Sequence, residues 1–174
     1  MPLRRQGRAP VLYPYDTPPR KGDYGLTAGG GLFMVVTRLG TLSRYGHAAV
    51  ALEDPVGDRI KVIEAAPGGA RIVTVGLDRF RWSNLKIDEE VRDRIAARAR
   101  ACEGLPYDWA AILGFVTKVW GYKLKVIGAK DQPDDKLICS ELVVWAYRPD
   151  IDLAPGLPAG AVSPGDLGDY LVSH

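Results

Sequence analysis

The residues of this chain that are best placed for chemistry are a cysteine and a histidine. Cys139 lies in the stretch LICSELV, where the sequence predicts that an apolar helix begins. The backbone N–H groups at a helix start lack partners within the helix and carry partial positive charge, which favours a thiolate over a thiol. The chain has one further cysteine, Cys102, and two histidines, His47 and His174. Because His174 is the last residue, where chains fray, His47 is the expected partner.

A predicted β-hairpin supplies a third candidate, Glu64. The turn residues of the stretch DPVGD join two apolar strands, and a turn centred on residues 55 and 56 places His47 opposite Glu64. Directly opposed residues share one face of a sheet, with Cβ atoms about 4.5–5.5 Å apart. A bulge in the turn would shift the register by one residue and separate the two side chains. Because Ile60 and Val62 share the face of Glu64, its carboxylate needs a partner such as a histidine N–H group.

These three residues match the roles of nucleophilic catalysis. Cys139 is the predicted nucleophile, His47 the base and Glu64 the group that orients the base. The backbone N–H of Cys139 is a candidate donor to an oxyanion. Each residue also has an ordinary interpretation: a buried core cysteine, a strand histidine with satisfied hydrogen bonds, and an edge-strand charge facing water. Cys102, near a helix C-terminus, is predicted to be inert.

The pattern of apolar residues predicts strands first and helices afterwards. This order is typical of an α+β fold in which helices pack against an antiparallel sheet. Asp88 and two glutamates begin the first helix, and Gly104 follows its end. The predicted strands cover residues 32–36, 47–52, 59–64, 71–75 and 85–87, and the predicted helices cover residues 88–102, 108–120 and 139–147.

Composition predicts one folded domain preceded by an arm. Residues 1–29 are rich in proline and arginine and are interpreted as a basic N-terminal arm, and residues 30–174 as the domain. Two interpretations of the arm stay open: a disordered extension, or a segment that docks on an acidic protein partner. The net charge of +2 among 174 residues is too small to indicate nucleic-acid binding.

Several classes of site and location are not expected from the sequence. Two cysteines 37 positions apart make neither a disulfide framework nor a zinc site, and no cofactor or metal is expected. The most apolar stretch, Trp109–Val116, is far shorter than the roughly 20 residues that span a bilayer. The two cysteines are expected to be free thiols of a chain synthesised in a reducing compartment. No signal peptide is recognised, so we expect delivery to any other location by another system.

Four parts of the sequence together resemble one known family. They are the stretch YGHAAV around His47, Glu64 in the next strand, Tyr107 with Asp108, and the stretch ICSELV around Cys139. With the histidine strand ahead of the cysteine helix, residues 30–147 resemble the circularly permuted NlpC/P60 group. These are papain-like cysteine hydrolases of the YiiX-like kind, more distantly similar to lecithin:retinol acyltransferase.

The resemblance implies a permuted papain-like fold and assigns roles within it. Cys139, His47 and Glu64 would be nucleophile, base and orienting acid. Tyr107 would lie near the active-site groove, where it either contributes to the oxyanion site or packs. Ser140 and Glu141 would be structural, through helix-start hydrogen bonding and an ion pair.

The resemblance also implies an activity. It is hydrolysis of an amide bond through an acyl-enzyme on Cys139, with a peptide or amide substrate such as a cell-wall (peptidoglycan) peptide. Two alternatives stay open: acyl transfer involving lipid, with Trp109–Val116 lining an acyl pocket, and a non-catalytic structural or adaptor protein, for example of a phage particle. The chain departs from the family where Ile138 replaces an aromatic residue and where residues 118–136 form a long basic stretch.

Overall fold

The computed structural model describes residues 11–12, 17–28, 43–110 and 136–173. Seven strands and three α-helices lie in these ranges. The strands are β1 (Val11–Leu12), β2 (Tyr24–Thr27), β3 (His47–Ala51), β4 (Arg59–Ala66), β5 (Gly69–Gly76), β6 (Arg81–Trp82) and β7 (Leu85–Lys86). The helices are α1 (Glu89–Arg100), α2 (Cys139–Tyr147) and α3 (Pro164–Ser173).

The main sheet has five antiparallel strands in the order β5-β4-β3-β2-β6, and β1 pairs with β7 in a separate two-stranded sheet. With three helices beside it, the fold is α+β, and the predicted fold class is confirmed. The helix predicted over residues 139–147 forms over those residues. The strand predicted over 32–36 lies outside the described residues, as does the helix predicted over 108–120 from residue 111 onward.

The predicted boundary between arm and domain at residue 29 is wrong. Strand β2, which lies within the segment interpreted as an arm, occupies the sheet between β3 and β6. Its Tyr24 is fully buried, and the Tyr24 hydroxyl donates a hydrogen bond of 3.1 Å to the carbonyl of Leu167 in α3. The proline-rich composition of the flanking residues concealed a four-residue strand whose alternation is too short to recognise.

The predicted register of the β3–β4 hairpin is also wrong, although its consequence survives. Glu64 lies opposite Ala49 rather than opposite His47. The turn is centred one residue later than predicted, because Gly57 adopts a left-handed φ of +61° and Val56 bridges to Arg59 around it. This moves the register by two residues, and an even shift keeps every side chain on the same face.

The two faces of the sheet have different covers. One face carries Tyr24, Leu26, Val50 and Ile63 and packs against the helices in the main core. The other face carries a smaller apolar cluster, made of Ala49, Ala51, Ile60, Val62 and Val75 with Phe80 packed over them. Glycine is required at position 25 because a Cβ there would lie 2.6 Å from that of Phe80. His47 and Glu64 lie on this second face, by their alternation with Ala48 and Ile63.

A fully buried ion pair joins the segment before β2 to the rest of the domain. Arg92 of α1 donates to the carboxylate of Asp23 at 3.0 Å, and their side chains are 0% and 1% exposed. The same guanidinium also donates to the carbonyls of Lys21 and Leu85. The Asp23 carboxylate additionally accepts the backbone N–H groups of Arg20 and Leu85. Both charges are buried, so removing either residue would leave the other charge without its counter-ion, which is strongly destabilising.

We expect Arg92→Met to lower the free energy of unfolding by about 3–5 kcal/mol, because it leaves the Asp23 carboxylate buried without its counter-ion. Urea denaturation measures this change. The control is Arg100→Met, since Arg100 pairs with Glu53 at 3.3 Å with both side chains 48% exposed, and such pairs contribute about 0–1 kcal/mol. A loss below about 1 kcal/mol for Arg92→Met would contradict the importance of this pair.

Candidate active site

Cys139 stands at the start of α2, where the chain turns from extended to helical backbone. Ile138 has extended dihedrals (φ −101°, ψ 167°), and Cys139 is the first helical residue. The helix is held in place by its apolar side chains, among which Leu142 and Val143 are buried in the main core. The backbone N–H groups of this first turn have no partner within the helix, so the sulfur lies beside donors that favour negative charge.

His47 is the first residue of β3, and its ring makes an ion pair with Glu64. Nε2 of His47 lies 3.0 Å from Oε2 of Glu64, with the two side chains 3% and 2% exposed. The contact runs diagonally across the two strands, since Ala49 is the residue directly opposite Glu64. Diagonal neighbours lie within reach of long side chains, and the small Ala49 leaves room for the ring. The predicted pairing of His47 with Glu64 is therefore present in the structure.

The second ring nitrogen of His47 is the one available to Cys139. Nδ1 is buried and makes no hydrogen bond of good geometry with any residue that the structure describes. The Cys139 thiol nevertheless lies close enough for its interaction with the ring to contribute to the pKa of His47. Contacts between a nucleophile and its base are often long or poorly aligned before substrate binds. Glu64 on Nε2 thus leaves Nδ1 as the nitrogen that can accept the thiol proton.

The pKa of His47 is raised to about 9. Burial by itself would lower it, because an imidazolium loses hydration inside the protein. The interaction with the Cys139 sulfur and the hydrogen bond to Glu64 act in the opposite direction and prevail. The ring is therefore held in its charged form at neutral pH.

Glu64 is held by more than the histidine. Burial alone would raise the pKa of this carboxyl, but hydrogen bonds from His47 and Arg71 and the charge of Arg79 lower it to about 2. Arg71 donates to Oε1 through Nε at 3.2 Å and Nη2 at 2.9 Å. Arg79 approaches Oε2 at 3.4 Å. The carboxylate is therefore ionised over the whole physiological range of pH.

Tyr107 is brought next to the helix start by a parallel bridge to Leu137. The Leu137 N–H donates to the carbonyl of Pro106, and the Asp108 N–H donates to that of Leu137, each at 3.1 Å. Burial raises the pKa of the Tyr107 phenol, and the nearby Cys139 and Asp108 raise it further. The phenol therefore stays protonated and can act as a hydrogen-bond donor close to the sulfur.

The neighbours of Cys139 in α2 have structural contacts. The Ser140 hydroxyl donates to the carbonyl of Val162 at 2.6 Å, and the Glu141 carboxylate accepts the Ile138 N–H at 3.4 Å. The expected helix-start hydrogen bond is present for Glu141, whereas Ser140 bonds the carbonyl of the distant Val162 instead. Among the described residues Glu141 makes no ion pair. Burial raises the pKa of Glu141 to about 7.

Cys102 differs from Cys139 in its surroundings. It is 1% exposed and follows the end of α1, with its sulfur 3.8 Å from the carbonyl of Arg98. Burial, with a smaller contribution from Glu141, raises the pKa of the Cys102 thiol to about 11. This thiol is therefore protonated at neutral pH and is poorly suited to act as a nucleophile.

The grouped side chains are closed to solvent. Cys139 and His47 are each 2% exposed and Glu64 is 1% exposed. A cavity of about 370 Å³ lies at the same end of the molecule, between the residues that lead into β3 and helix α3, and neither Cys139 nor His47 lines it. Its lining includes Tyr45, two residues before His47, and Ser163, which follows the Val162 carbonyl bound by Ser140. Access to the sulfur requires the covering atoms to move.

Sequence reasoning missed Arg71 and Arg79. Arg71 lies directly opposite Glu64 in the β4–β5 hairpin. A turn centred on Pro67 and Gly68 places residues 64 and 71 opposite each other, so the turn residues of this hairpin were sufficient to predict the pair. Arg79 lies in a short 3₁₀ helix after β5, and no sequence signal connects it to Glu64.

No group of three or more histidine, cysteine, aspartate or glutamate side chains in the described part of the chain is arranged to hold a metal ion. Among the same residues, none of the helices has both the length and the apolar character needed to cross a bilayer. The acyl-pocket stretch 109–116 and the basic stretch 118–136 lie largely outside the described residues.

Comparisons with known proteins add no relative. No model of a known protein family matches the chain, and no curated protein is significantly similar to it. The resemblance stated above therefore depends on the motifs themselves.

The ion pair predicts a pH dependence of stability. A group whose pKa is raised on folding stabilises the protein below its unfolded pKa, and this contribution is lost as the pH rises through the folded value. For His47 the window runs from about 6.5 to about 9. We expect the free energy of unfolding to fall by about 1–3 kcal/mol between pH 7 and 9.

Glu64→Gln tests the origin of this fall. Without the carboxylate the pKa of His47 decreases, so stability should change much less between pH 7 and 9 than in the unmodified protein. Urea denaturation at several pH values measures both slopes, and Glu53→Gln, at an exposed carboxylate, is the matched control. Equal slopes for the unmodified protein and Glu64→Gln would contradict the assignment.

Proposed function

We propose that this protein is a thiol hydrolase that cleaves an amide bond through an acyl-enzyme on Cys139. The observation that carries the proposal is that His47 has a partner on either side. Its Nε2 pairs with Glu64, and the Cys139 thiol also approaches the ring. The nucleophile comes from a helix, and the base and the orienting carboxylate come from a β-hairpin that lies far from this helix in sequence. A cysteine that was only part of the core would not need this arrangement.

The proposed reaction has two stages. The Cys139 sulfur attacks the carbonyl carbon while its proton resides on Nδ1 of His47, and the oxyanion accepts a hydrogen bond from the Cys139 N–H. The C–N bond then breaks, and the imidazolium transfers its proton to the departing amine. A water molecule, deprotonated by the neutral ring, attacks the thioester, which releases a carboxylic acid and restores the thiol.

The substrate class in this proposal is a peptide or other amide, with a cell-wall peptide as the first candidate. Its support is the resemblance of residues 30–147 to permuted NlpC/P60 hydrolases, in which the histidine strand also precedes the cysteine helix. The antiparallel sheet and the helix that begins at Cys139 agree with a permuted papain-like fold. Because Cys139 is 2% exposed, reaction at its sulfur requires the site to open when substrate binds.

A non-catalytic role, as a structural or adaptor protein that retains the fold, is the second candidate. The observation in its favour is the same burial of Cys139, because a core cysteine is also nearly inaccessible. The two candidates differ in one measurable property, the ability of the sulfur to accept an acyl group.

p-Nitrophenyl acetate tests the proposed nucleophile directly, because an activated ester acylates the same sulfur without a specific leaving group. We expect the protein to release p-nitrophenolate and to carry the acetyl group on Cys139, as shown by peptide mass analysis after acid quenching. Cys139→Ala should reduce the rate by about 10³-fold or more, while Cys102→Ala should retain it.

Two results would overturn the proposal. One is turnover by Cys139→Ala at the rate of the unmodified protein. The other is the absence of acetyl-Cys139 from a folded protein, which would favour the structural role. Circular dichroism of each variant establishes that the fold is intact.

In the proposed reaction, Tyr107 belongs to the oxyanion site. The protonated phenol near Cys139 would donate to the oxyanion together with the Cys139 N–H. We expect Tyr107→Phe to lower kcat by about 10²–10³-fold with little change in KM, because the donor acts only on the transition state. Steady-state kinetics with p-nitrophenyl acetate measures this, and an unchanged kcat would assign Tyr107 to packing alone.

A further inference from the structure

The Glu64 carboxylate receives N–H groups from three different side chains. Arg71 places both Nε and Nη2 on Oε1, at 3.2 and 2.9 Å. His47 Nε2 lies 3.0 Å from Oε2, and Arg79 Nη2 lies 3.4 Å from that oxygen. The Arg79 guanidinium is in turn held over the ring of Phe80, 5.5 Å from its centroid. Both oxygens of a carboxylate that is 1% exposed are therefore fixed in direction.

The charges of this group have a consequence for proton transfer. Whenever His47 loses its proton, a Glu64 carboxylate paired with the ring alone would become an uncompensated buried charge. Burying a charge without a partner is strongly unfavourable, so the ring would hold its proton too firmly to act as an acid. The two guanidinium groups remain charged at every step, and they compensate Glu64 while the ring is neutral.

We propose that Arg71 and Arg79 are positioning residues that keep Glu64 ionised and oriented while His47 gains and loses its proton. This inference rests on the proposed function, since it describes how the base of that reaction is tuned. Neither arginine reaches the sulfur, so each acts through Glu64. Arg71 is the stronger of the two because it makes two hydrogen bonds, while the distance of Arg79 is longer.

The groups that face His47 come from several elements. Glu64 of β4 and Cys139 of α2 contribute directly to its pKa. Phe80 lies 6.3 Å from the imidazole between ring centroids, and Thr27 of β2 is its cross-strand partner. Tyr107 faces the cysteine and stays neutral.

The arginines reach His47 only by way of Glu64. Arg71 and Arg79 approach through its carboxylate, while Asp78 is exposed and forms no ion pair with either arginine within the described residues. Among these groups, Arg71 is the most suitable single charge to remove, because it acts on His47 only through Glu64.

The sign of the effect follows from the charges. Removing the positive charge of Arg71 leaves Glu64 with more uncompensated negative charge, which favours the imidazolium and raises the pKa of His47. Two hydrogen bonds in series connect the guanidinium to the ring. At that separation, Coulomb's law with an effective dielectric constant between that of protein and water predicts that the pKa of His47 rises by about half to one unit. The acid dissociation constant of the imidazolium would fall about three- to tenfold.

The experiment is a titration of the histidine rings by NMR, followed in the unmodified protein and three variants. The chain has two histidines, so a His47→Gln variant assigns the resonances. We expect Arg71→Gln to titrate about half to one pH unit above the unmodified protein. Arg71→Lys retains the charge and should stay within about 0.3 of the unmodified value, since a lysine keeps the compensation but not the forked geometry.

Arg59→Gln is the matched control. Arg59 is an exposed arginine at the far end of β4 that donates to the Thr74 carbonyl, about 17 Å along the strand from Glu64. Its loss removes the same charge and a comparable hydrogen bond, and should leave the His47 titration unchanged. An Arg71→Gln protein whose ring titrates with the unmodified protein would overturn the inference, as would equal shifts in Arg71→Gln, Arg71→Lys and Arg59→Gln.

This measurement separates the inference from the proposed function. The ring titration requires no turnover, so it is read equally well if Cys139 proves inactive toward p-nitrophenyl acetate. Acylation of Cys139 with an unshifted ring in Arg71→Gln would retain the hydrolase and reject the role of the arginines. A shifted ring without acylation would retain the electrostatic coupling and reject the hydrolase.

Discussion

The contact between His47 and a buried, ionised Glu64 is the constraint on which the candidate site depends. A carboxylate inside a protein is stable only with charged or hydrogen-bonding partners, and Glu64 has three of them, one of which is the imidazole. Because Nε2 is used in this contact, the ring's orientation is fixed and only Nδ1 remains for other chemistry. The reactivity proposed for Cys139 depends on that orientation.

The sheet provides this contact through the size of one neighbour. Ala49 lies opposite Glu64, and its methyl group leaves space for the imidazole of His47 to extend diagonally to the carboxylate. On the same face, Phe80 covers the adjacent apolar residues and excludes water from the pair. The buried Asp23–Arg92 pair serves a separate purpose, since it fastens the segment before β2 to helix α1. Each charged pair in this core lies where several elements meet.

The sequence was sufficient for the features that depend on local patterns. The α+β class, the helix over residues 139–147 and the shared face of His47 and Glu64 all follow from apolar periodicity and turn residues. The exact register did not follow, because it depends on the left-handed backbone at Gly57 rather than on composition. Strand β2 was missed because four residues between prolines and glycines give too short an alternation. The arginines that hold Glu64 required knowledge of tertiary structure for Arg79, although simple hairpin arithmetic locates Arg71.

The most direct test of the account compares the alkylation rates of the two thiols. Iodoacetamide at pH 7, followed by peptide mass analysis over time, gives a rate constant for Cys139 and one for Cys102 in the same molecule. If Cys139 transfers its proton to His47, it reacts at least about 100-fold faster than Cys102, and His47→Gln removes most of that advantage. Equal, slow rates in the folded protein, or a fast rate at Cys139 that His47→Gln leaves unchanged, would contradict the account.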